Sequence, residues 1–156
     1  MNFKENFFYH FFRLTLAFVF IYASIDKIVH PQAFAQAIFN YQVLPIFLIN
    51  LTAIVLPWME LILGVCLLFN YWMNGVSLLT AVLMLLFLSI ITFNLSRGLN
   101  VGCGCFSTSA EGSMDTLTLI RDIIFLCLSF SLVVLTFRKH KMLFNKSKIV
   151  KSKNIF

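Results

Sequence analysis

The chain has 156 residues, 60% of them hydrophobic and 12% charged, against about 45 to 50% and 25% in an ordinary soluble domain. With a mean hydropathy of +0.92, that balance excludes a water-facing globular domain, because there is too little polar surface to cover 19 phenylalanines. The net charge of +6 is not a nucleic-acid signal: Arg138, Lys139, Lys141, Lys146, Lys148, Lys151 and Lys153 follow the last apolar stretch, where a basic run sets topology and attracts anionic lipid headgroups.

Four apolar stretches, at 7–28, 46–69, 72–95 and 117–137, each approach the length that crosses about 30 Å of hydrocarbon at about 1.5 Å per residue. They predict an all-α fold, a polytopic membrane four-helix bundle over 1–137 followed by a basic cytoplasmic tail over 138–156. Strands do not fit, since the runs lack the alternation of a membrane barrel. The first stretch carries Arg13 and has no small-residue cleavage site before Asp26 and Lys27, so it reads as a retained span and not as a signal peptide.

His30-Pro31 then opens a segment in which Phe34, Ile38 and Tyr41 recur at helical spacing up to Pro45, predicting a short helix in the outer interface. Asn70 to Asn74 leaves room only for a tight helical hairpin. Beyond Phe144 the basic tail reads as disordered. Lys4 and the tail put eight bases on one side, whereas 29–45 and 96–116 hold only Arg97. Both termini are therefore expected in the cytoplasm of a bacterium, with the two longer loops on the far side of the inner membrane.

The glycine-dense segment is Asn100-Val101-Gly102-Cys103-Gly104-Cys105-Phe106-Ser107. If Cys103 and Cys105 pair, their Cα atoms, about 7 Å apart when extended, must be drawn into a turn before disulfide geometry is met. Gly102 and Gly104 supply the backbone freedom. A bond so strained is more oxidising than a structural one and exchanges with another dithiol. Three other readings stand beside exchange: a structural clip, weak because so short a loop removes little unfolded-state entropy; a ligand pair for Cu(I) or Zn(II), only half a zinc site; and thiols with no role. Cys66 and Cys127, inside the apolar stretches, read as small buried hydrophobes.

Ionisable residues at membrane depth are functional-site candidates. Counted by helix rise from common membrane planes, Arg13 and Glu60 fall at nearly the same level, which predicts an Arg13–Glu60 midplane pair or pocket. Pro57, one turn before Glu60, is expected to loosen its helix there. A salt bridge that only locks the helices together is the alternative. Asp26, Lys27, Arg121 and Asp122 make a second, outer layer near the base of the cysteine loop. There Lys27 and Arg121 would stabilise a thiolate or anchor helix ends.

Taken in order, Arg13 and Lys27 on the first helix, the His30-Pro31 loop with Phe34, Pro57-x-x-Glu60-x-x-x-Gly64, the Gly-Cys-Gly-Cys-Phe loop and Arg121-Asp122 resemble the MauE/DoxX group of redox-associated membrane proteins over about residues 11–135. The resemblance implies a four-helix inner-membrane protein that supports disulfide formation or maturation of exported proteins with a thioredoxin-like partner. It carries Cys103 and Cys105 over as the catalytic pair of a thiol-disulfide oxidoreductase. The layout is also similar to four-helix thiol oxidoreductases of the vitamin K epoxide reductase kind, which implies a quinone cofactor. Ser107 departs from a glycine common in the group, and so does Ala23-Ser24. The rival is a non-enzymatic protein, either a soft-metal carrier or an accessory membrane subunit.

Overall fold

The computed structural model describes the backbone over residues 3–42, 45–97 and 116–153, and side chains over 6–42, 45–97 and 119–142. The described residues form five helices and no strand: α1 (Phe3–Val29), α2 (Pro31–Asn40), α3 (Ile46–Phe69), α4 (Met73–Ser96) and α5 (Thr116–Lys153). The expected all-α class is therefore observed. Cys103 and Cys105 lie outside the described residues.

Three helices are long and apolar enough to cross a membrane: Ile46–Phe69, Met73–Ser96 and Leu119–Met142, with mean hydropathies of 2.2, 2.6 and 2.1. The expected first span falls in α1, whose 27 residues reach about 40 Å. That helix carries Lys4, Glu5, Arg13, Asp26 and Lys27 and is not among the three.

α1 has two faces at helical spacing. Tyr9, Leu16, Ala17, Phe20, Ala23, Ser24 and Lys27 are buried, while Phe7, Phe11, Phe18, Tyr22, Ile25 and Val29 are exposed. The buried face meets α3 at close range. A Cβ on Gly64 would stand 2.8 Å from Ile21 Cγ1, 3.2 Å from the Ile21 nitrogen and 3.3 Å from the Ala17 carbonyl oxygen, so the missing side chain lets the two backbones approach. α1 also packs on α5, α5 on α4, and α4 on α3. Leu63 and Leu67 of α3, Val76 and Leu83 of α4 and Leu132 of α5 join Tyr9, Leu16 and Phe20 in one apolar core.

α2 is the short helix expected after His30-Pro31, with Pro31 in its first turn. Phe34 and Ile38 seat it on Ile49 and Ala53 of α3. Pro57 is accommodated inside α3 without ending it. The expected tight hairpin joins α3 to α4 through Asn70 and Trp72, both left-handed at φ 59° and 44°. There the Tyr71 N–H donates to the Cys66 carbonyl at 3.0 Å, and the Tyr9 hydroxyl donates to Asn70 Oδ1 at 2.7 Å. Buried Thr80 and Thr136 return their hydroxyls to the Val76 and Leu132 carbonyls at 2.8 Å, which satisfies them without a partner helix.

One expectation about the tail is overturned. α5 runs unbroken for 38 residues to Lys153, so the chain is helical well past Phe144 instead of disordered. The physical reason is composition: 116–153 contains no glycine or proline, and the lysines, leucines and phenylalanines there can continue a helix already nucleated in the apolar segment. At about 1.5 Å per residue α5 is about 57 Å long, nearly twice the hydrocarbon thickness.

Candidate functional site

Three charged side chains from three helices meet in one buried place. Lys27 of α1 is 1% exposed and Glu60 of α3 is 2% exposed. Lys27 Nζ donates to Glu60 Oε1 at 2.6 Å and Oε2 at 2.8 Å, a two-oxygen grip that satisfies both charges where water is scarce. The ammonium also lies 5.2 Å from the Phe34 ring centroid and 5.0 Å from that of Phe87, close enough for cation–π attraction from α2 and α4. Asp122 of α5 is the third charge. Its Oδ1 accepts from Arg121 Nε at 3.2 Å, while its buried Oδ2 has no hydrogen-bond partner.

Lys27, Glu60 and Asp122 share a small, partly open cavity, of water-molecule size, with Phe20, Met84 and Phe87. The apolar wall lowers the local dielectric, so each charge there acts more strongly than it would in water. Two cations, Lys27 and the half-exposed Arg121, balance two carboxylates, Glu60 and Asp122. The unmet demand is a hydrogen-bond donor for Asp122 Oδ2. The arrangement is suited to hold a small polar group against an apolar wall.

The expected Arg13–Glu60 pair is not formed: Glu60 pairs with Lys27, and Arg13 Nε is buried without a hydrogen-bond partner. The cause is a vertical offset between helices. Gly64 faces Ala17 and Ile21, so antiparallel packing puts Glu60 opposite about residue 23, some 15 Å along the axis from Arg13. Lys27 lies about one turn beyond that level, and its side chain leans back toward the α1 N-terminus and down to the carboxylate. The common-plane assumption failed because α3 overhangs the end of α1 by about 12 Å, and α2 covers the overhang through Phe34 and Ile38.

The two layers expected from sequence are thus partly one. Glu60, assigned to the midplane, joins Lys27 and Asp122, assigned to the outer layer, while Arg13 stands at the other end of α1. Arg121 sits at the margin of the cavity with its side chain 36% exposed. Cys66 is half-buried but Cys127 is exposed, so Cys127 is not the buried hydrophobe expected. Sequence reasoning missed Phe87 and Met84, which are indistinguishable from neighbours in an apolar run. Lys27 had a legible signal: it continues the buried series Phe20, Ala23, Ser24 at helical spacing. Among the described residues no three His, Cys, Asp or Glu side chains gather as a metal site.

Long apolar helices packed around a buried charged cavity define a polytopic α-helical membrane protein. The family model of the methylamine utilisation protein MauE matches residues 5–137, and the chain belongs to that family. It is 27% identical over 121 residues to the methylamine utilization protein MauE of Paracoccus denitrificans, covering 77% of this chain and 65% of that one. Against MauE of Methylorubrum extorquens it is 30% identical over 113 residues, covering 72% and 61%. Against MauE of Methylophilus methylotrophus it is 34% identical over 93 residues, covering 59% and 49%. The aligned part thus spans from about half to just under two thirds of these relatives' own length. No solved structure matches the chain.

Proposed function

We propose that the protein is a four-helix, redox-associated member of the MauE/DoxX kind in a bacterial inner membrane, and that it exchanges thiols and disulfides through Cys103 and Cys105 with a thioredoxin-like protein on the non-cytoplasmic face. The observation that carries this reading is the Cys103-Gly104-Cys105 triplet in the segment joining α4 to α5. That segment enters α5 at Thr116, about one and a half turns before Arg121 and Asp122. A guanidinium near the loop's entry would favour a thiolate over a thiol, whereas Lys27, already paired with Glu60, would contribute less than the sequence suggests.

In the exchange step the thiolate of one cysteine attacks a partner disulfide. The partner's S–S bond breaks and a mixed disulfide forms. The second cysteine, as thiolate, then displaces the partner sulfur and closes the Cys103–Cys105 bond. Two electrons and two protons pass from the loop to the partner, which leaves as a dithiol, and the reverse sequence oxidises a partner dithiol. Following the name its relatives carry, the exported client belongs to methylamine utilisation.

Single variants test the proposal. With Cys103→Ser and Cys105→Ser prepared one at a time, one of the two should accumulate a covalent adduct with a thioredoxin-like protein, visible on a non-reducing gel and released by dithiothreitol. Absence of adducts from both, together with stoichiometric Cu(I) binding by the unmodified loop, would replace exchange with soft-metal carriage.

A further inference from the structure

The opposite end of the molecule gathers positive charge around a single ring. Tyr9 is 1% exposed and tied to Asn70 by its hydroxyl, and Lys139 Nζ of α5 sits 4.5 Å from its ring centroid. His10 meets the same ring edge-on at 5.3 Å, is exposed, and lies within electrostatic reach of Arg13 and Lys139. Arg13 follows Tyr9 by one turn on the same face of α1, and its Nε is buried without a hydrogen-bond partner. None of these three bases forms an ion pair among the described residues. The described carboxylates Glu60 and Asp122 line the distant cavity, and Asp26 lies on the last turn of α1, far from its Tyr9 end.

The depth of the cluster is fixed by its neighbours. Asn70 begins the turn that exposes Tyr71 by 69% and Trp72 by 76%, and amphipathic aromatics of this kind settle at the membrane–water boundary. Lys139 falls near the end of the apolar segment Leu119–Met142. A buried guanidinium edge, an ammonium and an imidazole, with no carboxylate beside them among the described side chains, held at headgroup depth, are complementary to phosphate. Arginine engages two phosphate oxygens with its planar fork and lysine adds a point charge.

We infer that Arg13, His10 and Lys139 form a binding site for a phosphate-bearing anion, supplied either as the headgroup of an anionic phospholipid or as free phosphate. The tail lysines attract anionic surfaces generally. This site is distinct in joining α1 to α5 around Tyr9.

Native mass spectrometry of the full chain in a neutral detergent, titrated with phosphatidylglycerol or phosphatidylcholine, reads the site directly. Phosphatidylglycerol should bind at least about tenfold more tightly than phosphatidylcholine, and Arg13→Gln and Lys139→Gln should each remove about a tenfold preference. Arg13→Lys should lose less than Arg13→Gln, since it keeps the charge and gives up only the fork. Lys148→Gln with Lys151→Gln, an equal or larger charge loss in the tail, should change binding less than about twofold. If Arg13→Gln fails to fold, Lys139→Gln at the end of the span still decides. Displacement of phosphatidylglycerol by millimolar inorganic phosphate assigns the site to the free ion, and persistence assigns it to lipid. Equal binding of the two lipids, or an equal loss in the tail variant, would overturn the inference.

Discussion

Lys27 and Glu60 form a pair whose members are indispensable to each other more than to the fold. Removing charges from water is expensive, and the mutual attraction of a buried pair does little more than offset that cost. Lys27→Met alone strands a carboxylate beside Phe87 and should lower stability by about 3 to 5 kcal/mol. Lys27→Met combined with Glu60→Met removes both charges and should return stability to within about 1 kcal/mol of the parent, or above it. Unfolding in mixed micelles by titrated denaturing detergent compares the two. A double variant no better than the single would mean that a further group of the cavity, Asp122 first, depends on Lys27. At this scale the sequence named Lys27, Glu60 and Asp122 as unusual but matched Glu60 with the wrong cation. Charge at membrane depth is legible residue by residue, whereas a partner depends on the heights of two helices, which periodicity does not encode.

Those heights are set where α1 meets α3. Gly64 is the residue that permits the approach, and its hypothetical Cβ collides first with a movable Ile21 side chain but then with backbone atoms of Ile21 and Ala17. Gly64→Ala should therefore cost about 1 to 3 kcal/mol, typical of overpacking. Adding Ile21→Ala should recover only part of it, because the backbone contacts at 3.2 and 3.3 Å remain. The same unfolding titration measures this, and a neutral Gly64→Ala would contradict the close packing. Most element limits were readable: the observed α3 has the predicted limits, α4 is displaced by one residue, and α2 follows its proline. α5 was not readable past 137, because a basic run resembles a solvated tail by composition. Only the absence of any glycine or proline through Lys153 indicated that nothing would stop the helix.

For the whole molecule the number of crossings decides where the cysteine loop faces. If α1 crosses with α3, α4 and α5, then Asn6, the turn at Trp72 and the tail share one side, and the 98–115 segment lies on the other. The contacts favour this arrangement: α1 buries one face against both α3 and α5 and turns Phe7, Phe11, Phe18, Tyr22, Ile25 and Val29 outward, a stripe that only lipid covers cheaply. Lys27 is no obstacle, since Glu60 neutralises it and Phe34 and Phe87 flank it. An impermeant maleimide applied to intact cells after mild reduction should modify Cys103 and Cys105, and should spare Asn6→Cys and Trp72→Cys, introduced one at a time into a cysteine-free background, until the membrane is opened. Labelling of Asn6→Cys from outside with Trp72→Cys still protected would leave three crossings and put α1 on the membrane surface. That outcome conflicts with the burial of Lys27 and Tyr9 in one continuous helix face, which is why four crossings are expected.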